Sequence, residues 1–247
     1  MDWSFQLYSA RNFQPWDKVL QTLAKLGYKQ VEGFGGLYGG AEALKAEMDK
    51  NGLTMPSGHF SLDMLESDSA TALRVAKLLG MELVACPHIV AEQRPTDGKG
   101  WQEFGKRLAK VGRAYQDAGF RFGWHNHDFE FKALPDGSIP MAHILDAAPS
   151  IDFEMDVAWV IRGGADPMKW IDTYGDRIVA VHVKDIAAGN VKEEDGWADV
   201  GHGTVDWAAL VKALRAKTMA RQYVMEHDNP SDFERFAHRS IESAKTY

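Results

Sequence analysis

Four short apolar segments between residues 123 and 228 each end in side chains that can hold a metal ion or move a proton. They are Gly123-Trp124-His125-Asn126-His127, Phe153-Glu154-Met155-Asp156, Val181-His182-Val183-Lys184-Asp185 and Val224-Met225-Glu226-His227-Asp228. Side chains alternate between faces along a strand, so His125 shares a face with His127, Glu154 with Asp156, and His182 with Lys184. Val181, Val183, Met155 and Met225 suit the opposite face. A set of His125, Asp156, His182 and Glu226 offers two imidazoles and two carboxylates. That mixture suits one borderline divalent ion, Mn²⁺ first, with Zn²⁺ or Co²⁺ also compatible, and leaves coordination positions for substrate oxygens. His127 competes with His125 for the place of fifth-strand ligand. One histidine at a strand end is commonly a packed, hydrogen-bonded residue; four strands ending this way point to a site.

Such residues converge only if the strands are parallel and closed. Apolar runs near Phe5–Tyr8, Gln30–Glu32, Thr54–His59, Glu82–Cys86, Arg121–His125, Ile151–Asp156, Ile178–Lys184 and Arg221–Glu226 alternate with helical patterns. Trp16–Leu26 has apolar residues at helical spacing and stops at Gly27; Phe104–Ala118 and Phe233–Ala244 are further helices. Eight strand–helix units with no break in composition predict a single (β/α)₈ TIM barrel over residues 1–247, with its active site at the C-terminal ends of the strands. An open doubly wound sheet binding a dinucleotide would carry a glycine-rich turn after its first strand, where this chain has Ser9-Ala10-Arg11-Asn12. The irregular stretches Asp128–Ile139 and Ala187–Gly203 belong on the catalytic face.

The totals agree. A chain of 247 residues, 45% hydrophobic, can bury one large core. A net charge of −7 offers no broad cationic field for nucleic acid or a membrane surface. A single cysteine, no secretory pattern at Met1-Asp2-Trp3-Ser4-Phe5 and no apolar run of spanning length predict a soluble, cytoplasmic protein.

At these residues the chain resembles the xylose isomerase-like barrel superfamily, in its sugar phosphate isomerase/epimerase branch (the AP endonuclease family 2-like group). The resemblance spans nearly the whole chain. It is carried by Gly58-His59-Phe60-Ser61-Leu62, Trp124-His125-Asn126-His127-Asp128-Phe129-Glu130-Phe131, Glu154-Met155-Asp156-Val157-Ala158-Trp159-Val160, Val181-His182-Val183-Lys184-Asp185, Gly201-His202-Gly203-Thr204-Val205-Asp206-Trp207 and Glu226-His227-Asp228. It implies one metal held by the last four strands. Asp156, His182 and Glu226 match by position, and His125 stands where the family usually has Glu. Epimerases of this kind resemble a two-carboxylate device of which only Glu226 remains. The second proton path then falls to His127, Glu130 or Lys184, or the reaction needs one base and one acid, as elimination does. The His-Asn-His run is similar to that of a subgroup handling keto sugars and inososes.

The resemblance also suggests that His59 and His88 line the pocket, and Trp124 and Trp159 adjoin the metal residues. The structural alternatives are histidines bonded to backbone and a Lys184 that snorkels or pairs with Asp185. The amides of Gly201-His202-Gly203 could hold an anion, although a tight turn before a helix capped by Asp206 explains them better. The function expected is a metal-dependent isomerase or epimerase of a keto or aldo sugar. It would work by proton abstraction beside a carbonyl and a metal-stabilised enediolate, with Glu226 as ligand and acid/base. The alternative is a lyase or dehydratase on a 3-keto-glycoside or inosose. The expected partner is a small-molecule sugar, without nucleic acid or membrane, and a homo-oligomer is compatible. Apurinic endonucleases share the fold but need further ligands: Trp159 stands three residues after Asp156 where they need a histidine, and no Asp-x-His follows His182. A non-catalytic sugar-binding barrel remains the other class.

Overall fold

A computed structural model describes residues 2–189 and 191–247. Met1 and Asn190, the latter inside the irregular stretch Ala187–Gly203, lie outside the described residues. The barrel strands are β1 (Trp3–Gln6), β2 (Gln30–Gly33), β3 (Thr54–His59), β4 (Leu83–Cys86), β5 (Arg121–His125), β6 (Asp152–Asp156), β7 (Ile178–Val183) and β10 (Gln222–Met225). They close in the order β1-β10-β7-β6-β5-β4-β3-β2, every pairing parallel. This is a single closed (β/α)₈ TIM barrel. The open-sheet alternative is excluded by the β1–β10 pairing, Trp3 opposite Tyr223.

The strands fall within a residue or two of the apolar runs. The first differs most: it ends at Gln6, and Leu7–Ala10 turn as a short 3₁₀ helix, because the Gln6 side chain accepts the Tyr8 N–H at 3.0 Å and curls the chain there. Among the helices, α1 is Trp16–Leu26, ended by Gly27 at φ 104°, and α10 is Phe233–Ala244. Helix α5 spans Gly98–Asp117, six residues longer at its start than the apolar spacing suggested. Asp97 caps it by accepting from Gly100 N at 2.7 Å, and the glycines of its first turn hide the amphipathic signal. Gly105 lets α5 lie against α6 (Pro140–Ala147): a Cβ there would stand 2.6 Å from the Ile144 carbonyl oxygen.

The outward faces of the strands meet the helices in one apolar layer that contains Met155, Val181, Val183 and Met225. Trp3, Trp101 and Trp207 are buried in that layer and Trp16 and Trp170 pack against it. The barrel interior is unusual. Branched apolar residues usually fill it; here Ser4, Gln6, Glu32, Ser57, His59, His125, Glu154, Asp156, His182, Gln222 and Glu226 are all buried. So much buried polarity persists only when the groups satisfy one another or a ligand.

Over the mouth, Asp185–Ile186 (β8) and Trp197–Ala198 (β9) form a short antiparallel ribbon within the stretch read as irregular. In the other such stretch, Phe129–Phe131 form one 3₁₀ turn. No helix among the described residues is long and apolar enough to cross a membrane.

Candidate metal centre and active site

The register of the sheet explains why the ligand candidates meet. Asp156 lies opposite His182 across β6 and β7, and His182 opposite Val224, which brings Glu226 level with Lys184. His125, Asp156, His182 and Glu226 each present a ligand-capable atom within 4.8 Å of the others, and all four residues are buried.

Asp156 ends its strand and caps the next helix. Its Oδ1 accepts the Trp159 N–H at 2.8 Å and starts α7 (Val157–Arg162), while its Oδ2 is buried with no hydrogen-bond partner. A buried carboxylate oxygen left without a donor is what a cation would satisfy. His125 is likewise orphaned at Nδ1. Burial, reinforced by the His182 and His59 rings, holds the pKa of His125 far below the ordinary imidazole value, which favours the neutral ring with a lone pair on one nitrogen. The donor set therefore fits a borderline divalent ion.

Beneath this layer lies another. The His182 ring spans the two: Nδ1 is 2.9 Å from Glu226 Oε2, and Nε2 donates to Glu32 Oε1 at 2.6 Å. Glu32 is fixed in turn by Gln6 Nε2 at 2.7 Å and by the Ser57 hydroxyl. A carboxylate behind a histidine ring sets its tautomer and orientation toward a metal. His59 Nε2 lies 2.6 Å from Glu154 Oε2, and His125 Nδ1 lies 3.3 Å from the same oxygen. Thus His59, His125, Glu154 and His182 form a second group of metal-capable residues, sharing two rings with the first. Burial opposes charge on His59 and His182, but the surrounding carboxylates outweigh it and raise both rings above the usual value.

Lys184 has no exposed surface. Its Nζ stands 2.8 Å from Asp228 Oδ2, 3.1 Å from Glu226 Oε2 and 3.6 Å from Asp156 Oδ2, with the Trp197 ring 4.5 Å away on its other side. Burial opposes the ammonium, but these three carboxylates outweigh it and raise its pKa. Burial also opposes ionisation of Glu226, yet Lys184 and His182 hold it well below the carboxylate range. Asp156, where burial prevails over Lys184, is pushed up to about 6. Lys184 pairs with these groups and not with Asp185.

The Asp185 carboxylate is engaged elsewhere. It accepts the amides of Ile186, Gly201, Gly203 and Val205 at 2.8, 2.9, 3.2 and 3.0 Å. The Gly201 and Gly203 amides hold the chain's own anion, while His202 N donates to the Asp199 carbonyl oxygen at 2.9 Å, and a Cβ on Gly203 would stand 2.2 Å from Asp185 Oδ1. Asp206 caps α9 (Trp207–Lys217), accepting from Ala209 N at 3.0 Å.

A cavity of about 680 Å³ opens above the centre. Of the residues singled out from the sequence, His59, His88, His125, His127, Trp159 and Glu226 line it. Asp156, His182 and Lys184 are fully buried and are not among its lining residues. Trp124 and Glu130 lie outside it: the Trp124 ring packs edge-on to Phe104 and its indole N–H donates to Glu130 Oε1 at 2.9 Å, while Glu130 Oε2 accepts the His127 amide at 2.9 Å. Glu130 thus holds the His125–His127 turn, and burial pushes its carboxyl up to about 8. Burial also lowers His127 well below the usual value. Sequence reasoning flagged Glu154 and Asp228 at strand ends without giving them a role, and missed Glu32 and the rim residues Tyr8 and Phe34. Glu154 was legible in the two-residue alternation with Asp156, whereas Glu32 stands alone in its strand and carried no such signal.

The comparisons with known proteins agree with this geometry. A family model described as xylose isomerase-like TIM barrel matches residues 20–246. No curated protein matches the chain. Among solved structures, a sugar phosphate isomerase/epimerase from Parabacteroides distasonis superposes with a TM-score of 0.81 at 20% identity, covering 98% of this chain and 92% of that one. The probable 3-DHS dehydratase AsbF of Bacillus anthracis gives 0.80 at 14% identity, covering 99% of each chain. The IOLI protein, whose structure has a bound zinc atom, gives 0.74 at 16% identity, covering 100% of this chain and 96% of that one. At such identities the structures speak for the fold alone. The family match, spanning nearly the whole of a barrel whose last strands converge on this buried set, makes the chain a member of the xylose isomerase-like TIM barrel family.

Proposed function

We propose that the protein is a divalent-metal-dependent isomerase or epimerase of a keto or aldo sugar, held together functionally by His125, Asp156, His182 and Glu226 as metal ligands. The observation that carries this reading is Asp156 Oδ2, a buried oxygen without a hydrogen-bond donor beside two imidazoles and a second carboxylate. The bound ion would supply a Lewis acid to stabilise negative charge next to the carbon that loses its proton.

The chain's own groups divide the remaining work. Glu226 reaches the cavity with Oε2 anchored by His182 and Lys184. It is kept ionised and so can accept a proton from carbon. Lys184 is the fixed positive charge that maintains this state; having no surface in the cavity, it acts through Glu226. His127 lines the cavity as a neutral ring within 5.3 Å of both His88 and Trp159, and can pass a proton to a substrate oxygen. His59 and His88 offer hydrogen bonds to hydroxyls, and Trp159 offers a flat face to a sugar ring.

One observation favours a second reading, a lyase or dehydratase on a 3-keto-glycoside or inosose. The cavity lining combines the carboxylate of Glu226 with the imidazoles of His88 and His127, a set able to supply the one base and one acid that elimination needs. Incubating metal-loaded protein with ketohexoses, inososes and 3-keto-glucosides in deuterated water tests both. Deuterium beside the carbonyl with an isomerised or inverted product is expected. An unsaturated product selects the lyase, and absence of exchange and of product with all three classes overturns the proposal.

A further inference from the structure

Two of the similar solved structures are named sugar phosphate isomerase/epimerase, and a phosphate needs a seat of cations or free backbone amides. In (β/α)₈ barrels that seat is frequently built from the loops after the seventh and eighth strands. Among the described residues, several of those amides are already engaged by the chain's own groups. After β7 the Asp185 carboxylate takes four of them. After β10 the Asn229 amide donates to His227 Nδ1 at 3.2 Å and the Ser231 amide to Glu194 Oε1 at 2.7 Å. A phosphate arriving at either loop would meet a carboxylate where it needs a donor.

Cations give no substitute. Among the described residues, the acidic ones lining the cavity are Asp63, Glu226 and Asp228, and neither arginine nor lysine lines it. Arg11 donates to the carbonyl oxygens of Tyr8 and Asp228 at 2.9 and 2.6 Å. Arg94 donates to the Ile89 carbonyl at 3.2 Å and contacts His88 Nε2 at 2.9 Å. Lys184 is already surrounded by three carboxylates.

What the outer cavity does offer is apolar. Tyr8 and Phe34 form one wall, edge to face at 5.4 Å between ring centroids. Leu62, at the start of the helix after β3, and Ile89 and Val90, in the loop after β4, face the same cavity, and Tyr8 and Val90 keep 38% and 50% of their surface exposed. This lip is continuous with Glu226 and the histidines in one space. At about 680 Å³ that space has room for roughly twenty water-sized groups, more than one sugar ring occupies. We propose that the substrate is an unphosphorylated cyclic keto sugar bearing an apolar appendage, an aryl or alkyl aglycone, that rests against Tyr8, Phe34, Leu62, Ile89 and Val90.

The inference rests on reading the site as one for a keto sugar, and binding measured without turnover separates the two. Calorimetric titration of the metal-loaded protein would use methyl, butyl and phenyl 3-keto-β-glucosides, and the pair fructose and fructose 6-phosphate. The phenyl compound should bind about tenfold or more tighter than the methyl one, with butyl between them, because each further carbon leaves water for an apolar wall. Fructose 6-phosphate should bind no tighter than fructose. Val90→Asp, at a half-exposed position that does not threaten folding, should remove most of the phenyl preference and leave the methyl glucoside within about twofold. Equal affinity along the glucoside series, or a phosphorylated ketose that binds tighter than its parent, overturns the inference. Discrimination in a protein that turns over none of these compounds supports it and removes the proposed reaction instead.

Discussion

At the scale of single residues, the polar groups of the cluster differ in how many of their ends the chain itself engages. Asp156 spends one oxygen on the Trp159 amide and keeps the other free. His182 gives Nε2 to Glu32 and turns Nδ1 toward Glu226. Glu130 spends both oxygens on structure, and this has a consequence for stability. Its carboxyl is pushed up to about 8 by burial, against an unfolded value of about 4.3. The folded state therefore holds a proton that the unfolded state has released, and the stability this group contributes is full below about pH 4 and is lost as pH rises toward 8. Urea unfolding of the wild type and Glu130→Gln should show the wild type losing ground between about pH 5 and 8, by up to about 1.4 kcal/mol per pH unit. A difference that does not change with pH would contradict this role. Most of these residues were legible, because strand alternation marks which side chains share a face. Glu32 was not, since its function is to stand behind His182 from a strand 150 residues away in sequence.

At the scale of elements, the loops above the barrel are set by internal anions. Asp185, two residues after the end of β7 and the first residue of β8, gathers the Ile186, Gly201, Gly203 and Val205 amides and so fixes the entry to α9. Asp185→Ala leaves these donors without a partner, each at a cost of about 1 kcal/mol or more if it stays dry. The variant should unfold at least about 2 kcal/mol earlier in urea, with strand and helix content retained at low denaturant. Unchanged stability would show that solvent replaces the carboxylate freely. The sequence suggested that Gly201-His202-Gly203 belonged to a turn before a capped helix, and it does; the source of the anion was hidden because Asp185 lies 16 residues upstream of the first of these amides. Helix α5 illustrates the other limit. Its early glycines weaken the local helical signal, while the Asp97 cap and the close approach to α6 maintain it.

At the scale of the whole molecule, the eight-unit alternation was sufficient to read the closed barrel, since eight βα units of this length close in parallel around one core. The polar filling of that core was less legible. All the barrel strands except the apolar β4 contribute one or two buried polar side chains, and several of these find their partners on other strands, as Gln6, Glu32 and Ser57 do for one another. Only the closed ring reveals that they form a support under the mouth, with His182 as the link between the layers. The account stands on the claim that this support aims four ligands at one ion. The most direct measurement is metal content by elemental analysis after purification and reloading with Mn²⁺, Zn²⁺ or Co²⁺, in the wild type and in Asp156→Ala and His182→Ala, with circular dichroism to confirm that each variant is folded. One divalent ion per wild-type chain, falling by tenfold or more in both variants at limiting metal, is the predicted result. Full occupancy in both folded variants, or no ion bound by the wild type, would contradict it.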